Sequence, residues 1–527
     1  MCGFVFSSEE QLDKEGFKRS YDNIFHRGPD NQSLSVEKGG IWGFHRLSIM
    51  DLSDNGNQPF MHNKKELMCN GEVYNFEKLG ELVKDIYKFH SESDCEVLIP
   101  LYEKYGLEIM LKMLDAEFAM VLYDGETGQV MAARDPIGIR PLFYGFTKTG
   151  SISFSSEAKG LIEFCDGVQP FPPGHYYRDG EFHVYNDIAD PKMIIDEDEE
   201  VIVKNIREKL EAGIIKRLHS DAPLGFLLSG GLDSSLVCAV AQKHLDKPIK
   251  TFAVGMETDP IDLKYAKEVA DYLGTEHTEV IMTKDDILSS LEKVIWHLET
   301  WDITTVRASM GMYLICKHIH EKTELKVLLT GEVSDEIFGY KYTDFAPSAE
   351  EFQKESQKRI RELYMYDVLR ADRTIAANSL EARVPFGDLD FVDYCMSINP
   401  AKIMNIYGQG KYLLRKAFEG LDYLPDSILY REKAAFSDAV GHSMVDYLKE
   451  YAEEKYTDAD LEAAKTKYTY GTPFTKESLL YRDIFEKFYP GKAEWIKDFW
   501  MPNKTWDGCN VNDPSARVLS NYGDSGK

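Results

Sequence analysis

The pattern of apolar and polar positions divides the chain into two parts of different character. Residues 1 to about 190 contain short runs rich in apolar and β-branched residues, such as 40–44, 118–123 and 151–155, separated by turn-forming residues. Runs of that length and composition predict β-strands. A helical pattern lies between them at 95–105. The first part, residues 1–190, is therefore predicted to be a layered α+β domain.

The second part begins at about residue 201 with a longer helical periodicity over 201–218, and it continues as strand–loop–helix units. This alternation predicts an α/β domain with a parallel sheet over 201–500. The acidic stretch 191–200 between the two parts is predicted to be a solvated linker that merges into the start of a helix. Residues 501–527 are rich in Asn, Asp, Ser and Gly, which predicts an irregular or disordered tail.

Length, charge and cysteine usage narrow the classes of protein. A chain of 527 residues is too long for one hydrophobic core. Its net charge of −28 disfavours binding to nucleic acid or to anionic membranes, because basic surfaces supply most of that affinity. The chain has no apolar run of about 18 residues and no secretory layout, and its eight cysteines form no CxxC pair. We expect a cytoplasmic protein with neither a nucleic-acid nor a membrane partner.

Cys2 is the first candidate for chemistry. Removal of Met1 would leave a thiol and a free α-amino group on the same residue. An amine with a pKa near ~8 can accept the thiol proton, so one residue would supply both the nucleophile and its base. Taken alone, a cysteine at the second position is equally compatible with no function.

Four local clusters change the interpretation of Cys2. They lie at 26–30, 45–49, 70–75 and 93–96, and each alone has a plain structural explanation as a turn, a hairpin or a surface charge. Together with Cys2 they resemble the glutaminase domain of class II glutamine amidotransferases, which are N-terminal-nucleophile hydrolases. The resemblance covers the whole first domain and implies an αββα sandwich that hydrolyses the side-chain amide of glutamine.

By this resemblance, the planar guanidinium of Arg46 pairs with the glutamine α-carboxylate, and Glu72 and Asp94 receive its α-ammonium. Asn70 and the backbone N–H of Gly71 form the oxyanion hole. The resemblance assigns glutamine binding to Arg46, Leu47, Ser48, Ile49, Met50, Asn70, Gly71, Glu72 and Asp94, and catalysis in this domain to Cys2, Asn70 and Gly71.

A second candidate centre starts at the apolar run 224–228, which enters the Ser/Gly loop 229–235 and then a helical run. A strand that enters such a loop at a helix N-terminus places several backbone N–H groups around an anion. The loop lacks the Gly-Lys-Ser/Thr of a Walker A motif and resembles the pyrophosphate loop of ATP pyrophosphatases. Further strands are predicted at 250–255 and 325–330, and the second of these enters the acidic loop 331–336. The predicted ATP-binding residues are Leu228, Ser229, Gly230, Gly231, Asp233, Ser234, Val254, Thr330 and Gly331.

The stretches 304–309, 381–386 and 431–438 extend the match. Together with both centres they closely resemble the family of glutamine-dependent asparagine synthetases, from residue 1 to about residue 490. The resemblance implies an adenine nucleotide alpha-hydrolase-like second domain that uses glutamine, aspartate and ATP. Aspartate would attack the α-phosphorus of ATP to give β-aspartyl-AMP and pyrophosphate, and ammonia would then displace AMP.

The same resemblance implies roles for six residues of the second centre. Asp233 and Asp335 would hold Mg²⁺ on the pyrophosphate. Glu332 would orient the attacking groups or deprotonate ammonia, and the charge of Lys433 would neutralise the phosphate. Arg307 and Arg383 would contact aspartate or the adenylate. The sequence leaves open whether the chain forms a homodimer.

One loop departs from the family pattern. Val333 stands where relatives generally have glycine, and the segment after Phe338 is one glycine shorter. A β-branched residue does not readily adopt a positive φ. We therefore expect this loop to follow a different backbone path, with the two changes compensating each other.

Three other functions share part of these features. A synthetase of the β-lactam type would close a ring without ammonia and would not need Cys2, Arg46, Asn70 and Asp94 together. An amidotransferase of the same architecture could use another carboxylate acceptor. A nitrogen-sensing scaffold would bind glutamine and ATP without turnover and would have no use for the nucleophile. An acceptor screen and a pyrophosphate assay separate these functions.

Overall fold

The computed structural model describes residues 1–258, 260–432 and 440–522. Twelve strands and four helices build the first domain in these residues. The strands are β1 (Gly3–Ser7), β2 (Asn31–Glu37), β3 (Gly40–Arg46), β4 (Phe60–His62), β5 (Lys65–Val73), β6 (Ala116–Asp124), β7 (Gln129–Arg134), β8 (Phe143–Thr147), β9 (Ile152–Ser155), β10 (Cys165–Pro170), β11 (His175–Arg178) and β12 (Glu181–Val184). The helices are α1 (Lys14–Asp22), α2 (Phe76–Glu81), α3 (Leu98–Tyr105) and α4 (Leu107–Met113).

Two antiparallel sheets form the centre of this domain. One has the order β10-β8-β9-β1-β3-β2 and the other has the order β12-β11-β7-β6-β5-β4. Side chains alternate between the two faces of each strand, so Phe4 and Phe6 of β1 enter the core between the sheets while Val5 packs on the outer face. Helix α1 covers one outer face, where Phe17 is buried, and the other three helices cover the second sheet. This is the predicted αββα sandwich.

The second domain contains the five strands β13 (Leu224–Leu227), β14 (Lys250–Met256), β15 (Glu276–Met282), β16 (Val327–Leu329) and β17 (Glu381–Arg383). Its described helices are α5 (Glu199–Lys216), α6 (Leu232–His244), α7 (Ile261–Leu273), α8 (Lys284–Leu298), α9 (Ile303–Lys322), α10 (Ser334–Phe338), α11 (Ala349–Glu362), α12 (Asp367–Ala376), α13 (Leu389–Ser397), α14 (Pro400–Ile403), α15 (Tyr412–Phe418), α16 (Asp426–Leu429), α17 (His442–Lys455), α18 (Asp458–Lys467) and α19 (Lys476–Phe488).

The five strands form one parallel sheet in the order β15-β14-β13-β16-β17. The chain adds β14 and β15 on one side of β13 and then β16 and β17 on the other side. The order therefore reverses beside β13, and ligands of open α/β sheets bind at the carboxyl ends of the strands at such a point. The predicted parallel sheet is confirmed, and so is the placement of β14 beside β13.

Buried ion pairs join the two domains. The Arg27 guanidinium donates to Glu157 at 2.7 Å within the sandwich and to Asp372 of α12 at 2.8 Å. Arg373 of the same helix pairs with Glu157 and with Glu299, each at 2.8 Å. All five residues are at most 2% exposed. A buried ion that loses its partner costs about 3–5 kcal/mol, so these pairs hold the domains in one arrangement.

A second set of pairs lies at the ends of β5 and β6. Arg217, directly after α5, pairs with Glu117 of β6 at 2.8 Å and with Asp388 at 2.9 Å. Arg383 of β17 pairs with Glu72 of β5 at 2.9 Å. Strand β17 is thus both an edge of the parallel sheet and a neighbour of the sandwich.

The acidic linker is partly ordered by the second domain. Helix α5 begins at Glu199, inside the predicted linker. Ile195 forms a parallel bridge with Ile398, because its N–H donates to the Ser397 carbonyl at 2.7 Å and its carbonyl accepts from the Asn399 N–H at 2.8 Å. The linker therefore follows the surface of the second domain and does not cross solvent freely.

The tail predicted from residue 501 is irregular, and it is packed. Apart from the 3-10 turn Ala516–Val518, residues 502–522 have no helix or strand. Trp506 and Leu519 are both 4% exposed, and Cys509 is fully buried. Those side chains supply the apolar contacts that a composition of Asn, Asp, Ser and Gly does not suggest. Within the described residues, no helix is long and apolar enough to cross a membrane.

Val333 does not take the different backbone path that its β-branched side chain predicts. It has a φ of 81° and a ψ of −24°, which is the left-handed conformation that the glycine of the family pattern would favour. Its side chain is only 2% exposed and belongs to the hydrophobic core. The left-handed conformation at Val333 carries strain on the order of 1–3 kcal/mol. Packing of the isopropyl group in the core offsets this strain.

Glycine and alanine at position 333 separate this strain from the loss of packing. In a helix, alanine is about 1 kcal/mol more stabilising than glycine. In the left-handed conformation, alanine carries a penalty of about 1–2 kcal/mol that glycine lacks. We predict that Val333→Gly is at least as stable as Val333→Ala in urea unfolding.

The matched control is Val269, a fully buried valine of helix α7. There the alanine variant should be more stable than the glycine variant by about 1 kcal/mol. The same order of stability at both positions would contradict a left-handed Val333.

Candidate active sites

Cys2 lies between the two sheets at the start of β1. Gly3 pairs with His45 across the β1–β3 ladder, which brings Cys2 beside the loop that follows Arg46. The Leu47 N–H donates to the Cys2 Sγ at 3.4 Å, and the Sγ lies 3.5 Å from the Leu47 carbonyl oxygen. Burial raises the pKa of the Cys2 thiol to about 11. The thiol is therefore protonated at neutral pH and needs a base to become a nucleophile.

The α-amino group of Met1 is buried beside this thiol. It donates to the Leu380 carbonyl oxygen of the second domain at 3.3 Å. Burial lowers the pKa of this amine to about 6. The N-terminus thus lies at the domain interface, next to β17.

Asn70 and Gly71 lie side by side in β5. The side-chain oxygen and nitrogen of Asn70 are both buried, and neither has a hydrogen-bond partner among the described residues. Buried polar groups are rarely left unsatisfied, so such a group indicates a ligand. A Cβ atom on Gly71 would lie 2.4 Å from the Glu117 carbonyl oxygen of the neighbouring strand, which is why this position requires glycine.

Glu72 and Asp94 place two carboxylates next to these groups. Asp94 accepts from the Val73 N–H at 2.6 Å, and burial raises its pKa to about 6. Burial, together with the charge of Glu381, raises the pKa of Glu72 well above its ordinary value. Arg383 offsets part of this effect through its ion pair with Glu72. A ligand ammonium group beside these carboxyl groups would favour their ionised forms.

Arg46 ends β3 and organises the loop behind Cys2. Its Nη1 donates to the Ser53 carbonyl oxygen at 2.6 Å and to the Asn57 side-chain oxygen at 2.8 Å. Its Nη2 donates to the Asp51 carbonyl and, at 3.3 Å, to the Met50 carbonyl. The structure thus brings Arg46 and the loop 47–50 to the side of the thiol, with the guanidinium bound to loop oxygens. The predicted residues Leu47, Ile49 and Met50 are buried in the core, and Ser48 donates its N–H to Asp30.

The second site is a cavity at the carboxyl ends of β13, β14 and β16, where the strand order reverses. Eight of the nine predicted nucleotide-binding residues line it, together with Glu332 and Asp335. The ninth, Gly230, does not line the cavity. It has a φ of 70°, and a Cβ atom there would lie 2.4 Å from the Ala266 nitrogen. The loops after β13 and β16 are in contact, since a Cβ on Gly331 would lie 2.9 Å from the Ser234 nitrogen.

Lys411 lies between the two carboxylates that the sequence suggests for a metal ion. Its Nζ is 2.7 Å from Asp233 and 2.5 Å from Asp335, and it donates to the Ser334 hydroxyl at 3.0 Å. Both carboxylates therefore face one point that already carries a cation. The described residues contain no cluster of three or more metal-ligating side chains. Two carboxylates completed by phosphate oxygens are nevertheless a usual donor set for Mg²⁺, so the residues fit the ion.

Glu332 and Arg370 form a second charged pair on the cavity wall. The Arg370 Nη2 donates to Glu332 at 2.9 Å and to Asp367 at 2.7 Å. Arg431 lines the cavity as well, paired with Asp262 at 2.9 Å and stacked 3.9 Å from the ring centroid of Tyr265. Cationic groups therefore lie on several sides of this cavity, although the chain as a whole is acidic.

Three predicted residues of this centre lie elsewhere or are not described. Arg307 pairs with Glu477 at 2.6 Å and with Asp513 at 3.0 Å, behind the cavity wall that the described residues form. Arg383 is fully buried at the domain interface. Lys433 lies outside the described residues. A contact of Arg307 or Arg383 with aspartate therefore has no support in their positions.

The position of Arg383 links the two sites. Its side chain pairs with Glu72 in the sandwich, and its backbone carbonyl accepts from the Thr330 N–H at 3.0 Å. Thr330 lines the cavity of the second domain. One residue of β17 thus contacts both candidate sites.

Sequence reasoning missed Lys411 and Arg370. Each is one of many charged residues on helical patterns, and the partners of Lys411 are 178 and 77 positions away along the chain. The motif at 431–438 did include Arg431, although without a role. Only the folded chain brings these side chains to the phosphate loop.

Two family models match the chain, one in each domain. A glutamine amidotransferase domain model matches residues 1–178, and an asparagine synthase model matches residues 205–350 and 344–511. The solved structure of a glutamine phosphoribosylpyrophosphate amidotransferase from B. subtilis is 14% identical, covers 54% of this chain and 81% of that chain, and has a TM-score of 0.31.

Similar curated proteins extend over the whole chain. The human asparagine synthetase [glutamine-hydrolyzing] is 40% identical over an alignment of 566 positions that covers 99% of this chain and 99% of that protein. The Gallus gallus protein of the same name is 41% identical with the same coverage of both chains. The chain therefore belongs to the family of glutamine-hydrolysing asparagine synthetases.

Proposed function

We propose that this protein makes L-asparagine from L-aspartate, L-glutamine and ATP, with release of L-glutamate, AMP and pyrophosphate. The observation that carries the proposal is the full-length similarity to asparagine synthetases, which covers 99% of this chain. Two sites of complementary chemistry in one chain support it. The first domain has a free thiol at Cys2 and an unsatisfied side-chain amide at Asn70, and the second has a phosphate loop in a cavity with acidic and basic side chains.

In the glutaminase site, removal of Met1 would leave the α-amino group on Cys2 itself. That amine accepts the thiol proton, and the sulfur attacks the side-chain amide carbon of glutamine. The Asn70 side-chain amide and the Gly71 N–H stabilise the oxyanion that forms. Glu72 and Asp94 bind the glutamine ammonium, and Arg46 binds its carboxylate by exchanging some of its hydrogen bonds to loop oxygens. Ammonia leaves, and water releases glutamate from the thioester.

In the synthetase site, the backbone N–H groups of the loop after β13 bind the phosphates of ATP. The β-carboxylate of aspartate attacks the α-phosphorus, and pyrophosphate leaves. Lys411 and Lys433 neutralise the phosphate charge. Asp233 and Asp335 would hold Mg²⁺, which supplies further charge neutralisation when bound.

Ammonia from the first site then attacks the acyl carbon of β-aspartyl-AMP. Asparagine forms as AMP leaves, and one proton of the attacking nitrogen must be removed. Glu332 is our candidate for the acceptor of this proton. The ion pair with Arg370 holds the Glu332 carboxylate on the cavity wall. We assign the protein to the cytoplasm, because all eight cysteines are free thiols, as is usual in a reducing compartment.

A product balance tests the proposed function as a whole. Purified protein with ATP, aspartate, glutamine and Mg²⁺ should form asparagine, AMP, pyrophosphate and glutamate in equal amounts. Substitution of other carboxylate acceptors for aspartate should give no pyrophosphate. Glutamine hydrolysis without any aspartate-dependent pyrophosphate would contradict the proposal.

We predict that Cys2→Ala lowers glutamine hydrolysis by on the order of 10³-fold or more, because the nucleophile is lost. Asparagine synthesis from ammonium chloride should stay within about twofold of the unmodified rate, because the second site does not use the thiol. The two rates are measured on the same preparation. Cys165→Ala, a buried cysteine of β10, is the matched control and should keep both activities. Equal loss of both activities in folded Cys2→Ala would exclude two separate centres.

An added residue ahead of Cys2 tests the α-amino base. A serine inserted between Met1 and Cys2 leaves the thiol in the chain, and the free amine moves to another residue. We predict that glutamine hydrolysis falls as in Cys2→Ala while ammonia-dependent synthesis persists. Unchanged glutamine hydrolysis, with mass spectrometry showing the added residue in place, would place the base elsewhere.

Lys411→Met should have the opposite effect. Loss of one preorganised charge from a phosphoryl-transfer site typically costs about 10²–10³-fold. We predict that aspartate-dependent pyrophosphate release falls by that factor, while glutamine hydrolysis is retained. Lys416→Met, on the exposed part of helix α15, is the control and should change neither rate. Pyrophosphate release near the unmodified rate in Lys411→Met would refute the role of this lysine.

A further inference from the structure

The C-terminal segment, defined here as residues 500–522, forms part of the synthetase cavity. Trp500, Pro514, Ser515 and Ala516 all line that cavity. The proposed chemistry assigns no role to any of them. Apart from the hydroxyl of Ser515 and the indole N–H of Trp500, their side chains offer only apolar contact surface.

Asp513 fixes the turn that carries three of these residues. Its carboxylate pairs with Arg307 of α9 at 3.0 Å and with Lys449 of α17 at 2.8 Å. It also accepts from the Ser515 N–H at 2.9 Å, which closes the turn over Pro514. Burial opposes the ionised form, but Arg307 holds the pKa of Asp513 well below its ordinary value. The turn is thus attached to two helices by one ionised side chain.

A second attachment lies at Tyr342, which follows the acidic loop 331–336 and lines the same cavity. The Trp506 ring stacks with Tyr342 at a centroid distance of 6.2 Å, and the Trp500 ring meets it edge-on at 5.7 Å. The Cys509 Sγ lies 3.6 Å from the Tyr342 carbonyl oxygen. The segment therefore packs on the chain that leaves the pyrophosphate loop.

The attachments of the segment define the side of the cavity that it forms. Besides α9 and α17, it contacts α11, where the Arg359 Nη2 donates to the Met501 carbonyl at 2.5 Å and the Asn503 amide donates to Glu355 at 2.9 Å. The phosphate loop and the strand end at Val254 also line the cavity, and these come from other elements, namely β13, α6 and β14. If ATP occupies the phosphate-loop side, the side formed by the segment receives the second substrate.

We propose that the C-terminal segment forms the acceptor side of the synthetase cavity, where it binds the amino-acid acceptor and excludes water, and that Asp513 is the positioning residue for it. This rests on the proposed function, in which the acceptor is aspartate. Exclusion of water matters because water, like ammonia, can attack the acyl carbon of the adenylate and return aspartate and AMP. An intact segment therefore sets both the affinity for aspartate and the yield of asparagine per ATP.

Asp513→Asn tests the proposal, because it keeps the shape of the side chain and removes the charge that pairs with Arg307 and Lys449. We expect the KM for aspartate to rise about tenfold, since small displacements at a binding site have effects of this size or larger. The KM for ATP should stay within about twofold. Pyrophosphate formed per asparagine should rise above the value for the unmodified protein, because water now reaches the adenylate.

The controls separate positioning from general loss of structure. Asp507→Asn, on an exposed aspartate of the same segment, should leave both KM values and the product ratio unchanged. Asp513→Glu keeps the negative charge. Its KM for aspartate should therefore be close to that of the unmodified protein. A chain ending at residue 512 lacks the turn and should form the most pyrophosphate per asparagine. Its rate of glutamine hydrolysis shows whether the first domain is folded.

Two outcomes would overturn the proposal. One is an equal rise of the KM values for ATP and aspartate in Asp513→Asn, which would make the effect a general distortion. The other is an unchanged aspartate KM with an unchanged product ratio. Failure of the proposed function is a different result, because the unmodified protein would then release no pyrophosphate with aspartate.

Discussion

Buried ion pairs between the domains are the interaction on which the rest of the structure depends. Arg27 and Arg373 share Glu157 at a fully buried interface, and Arg383 of β17 pairs with Glu72 of β5. Separation of the domains would leave these ions without partners or expose them together with apolar surface. The two sites are therefore held in fixed positions relative to each other. Each guanidinium has two carboxylate partners, and these contacts offset the cost of burying the charges.

The predictable part of the structure follows from local rules. The short apolar runs at 40–44, 118–123 and 151–155 predict strands, which the structure has as β3, β6 and β9, and the strand–loop–helix unit at 224–245 predicts the phosphate loop. The cysteine site was predicted from a family resemblance over four clusters, and the structure brings the loop after Arg46 to the thiol. Arg307 and Arg383 could not be placed from the sequence, because their carboxylate partners are distant in the chain, such as Glu477 at a separation of 170 residues.

Val333 shows where a local preference yields to tertiary packing. The backbone preference of a β-branched residue predicts that the loop avoids a positive φ. In the structure, Val333 nevertheless has a positive φ. The buried isopropyl group gains contacts with the core that an altered path would lose. A residue at such a position is thus selected by what surrounds its side chain and not by its own conformational energy. Val333, next to Glu332, therefore has the left-handed conformation that the glycine of the family pattern would favour.

The contacts of residues 500–522 also bear on the order in which the protein becomes active during synthesis. The cysteine site draws most of its groups from the first hundred residues, and N-terminal domains generally fold first. The cavity of the second domain lacks one wall until a segment near the other end of the sequence has emerged and docked on Tyr342 and Arg307. A nascent chain could therefore bind glutamine before it can protect an acyl adenylate from water. The two reactions are therefore coupled only after the chain has been synthesised through this segment.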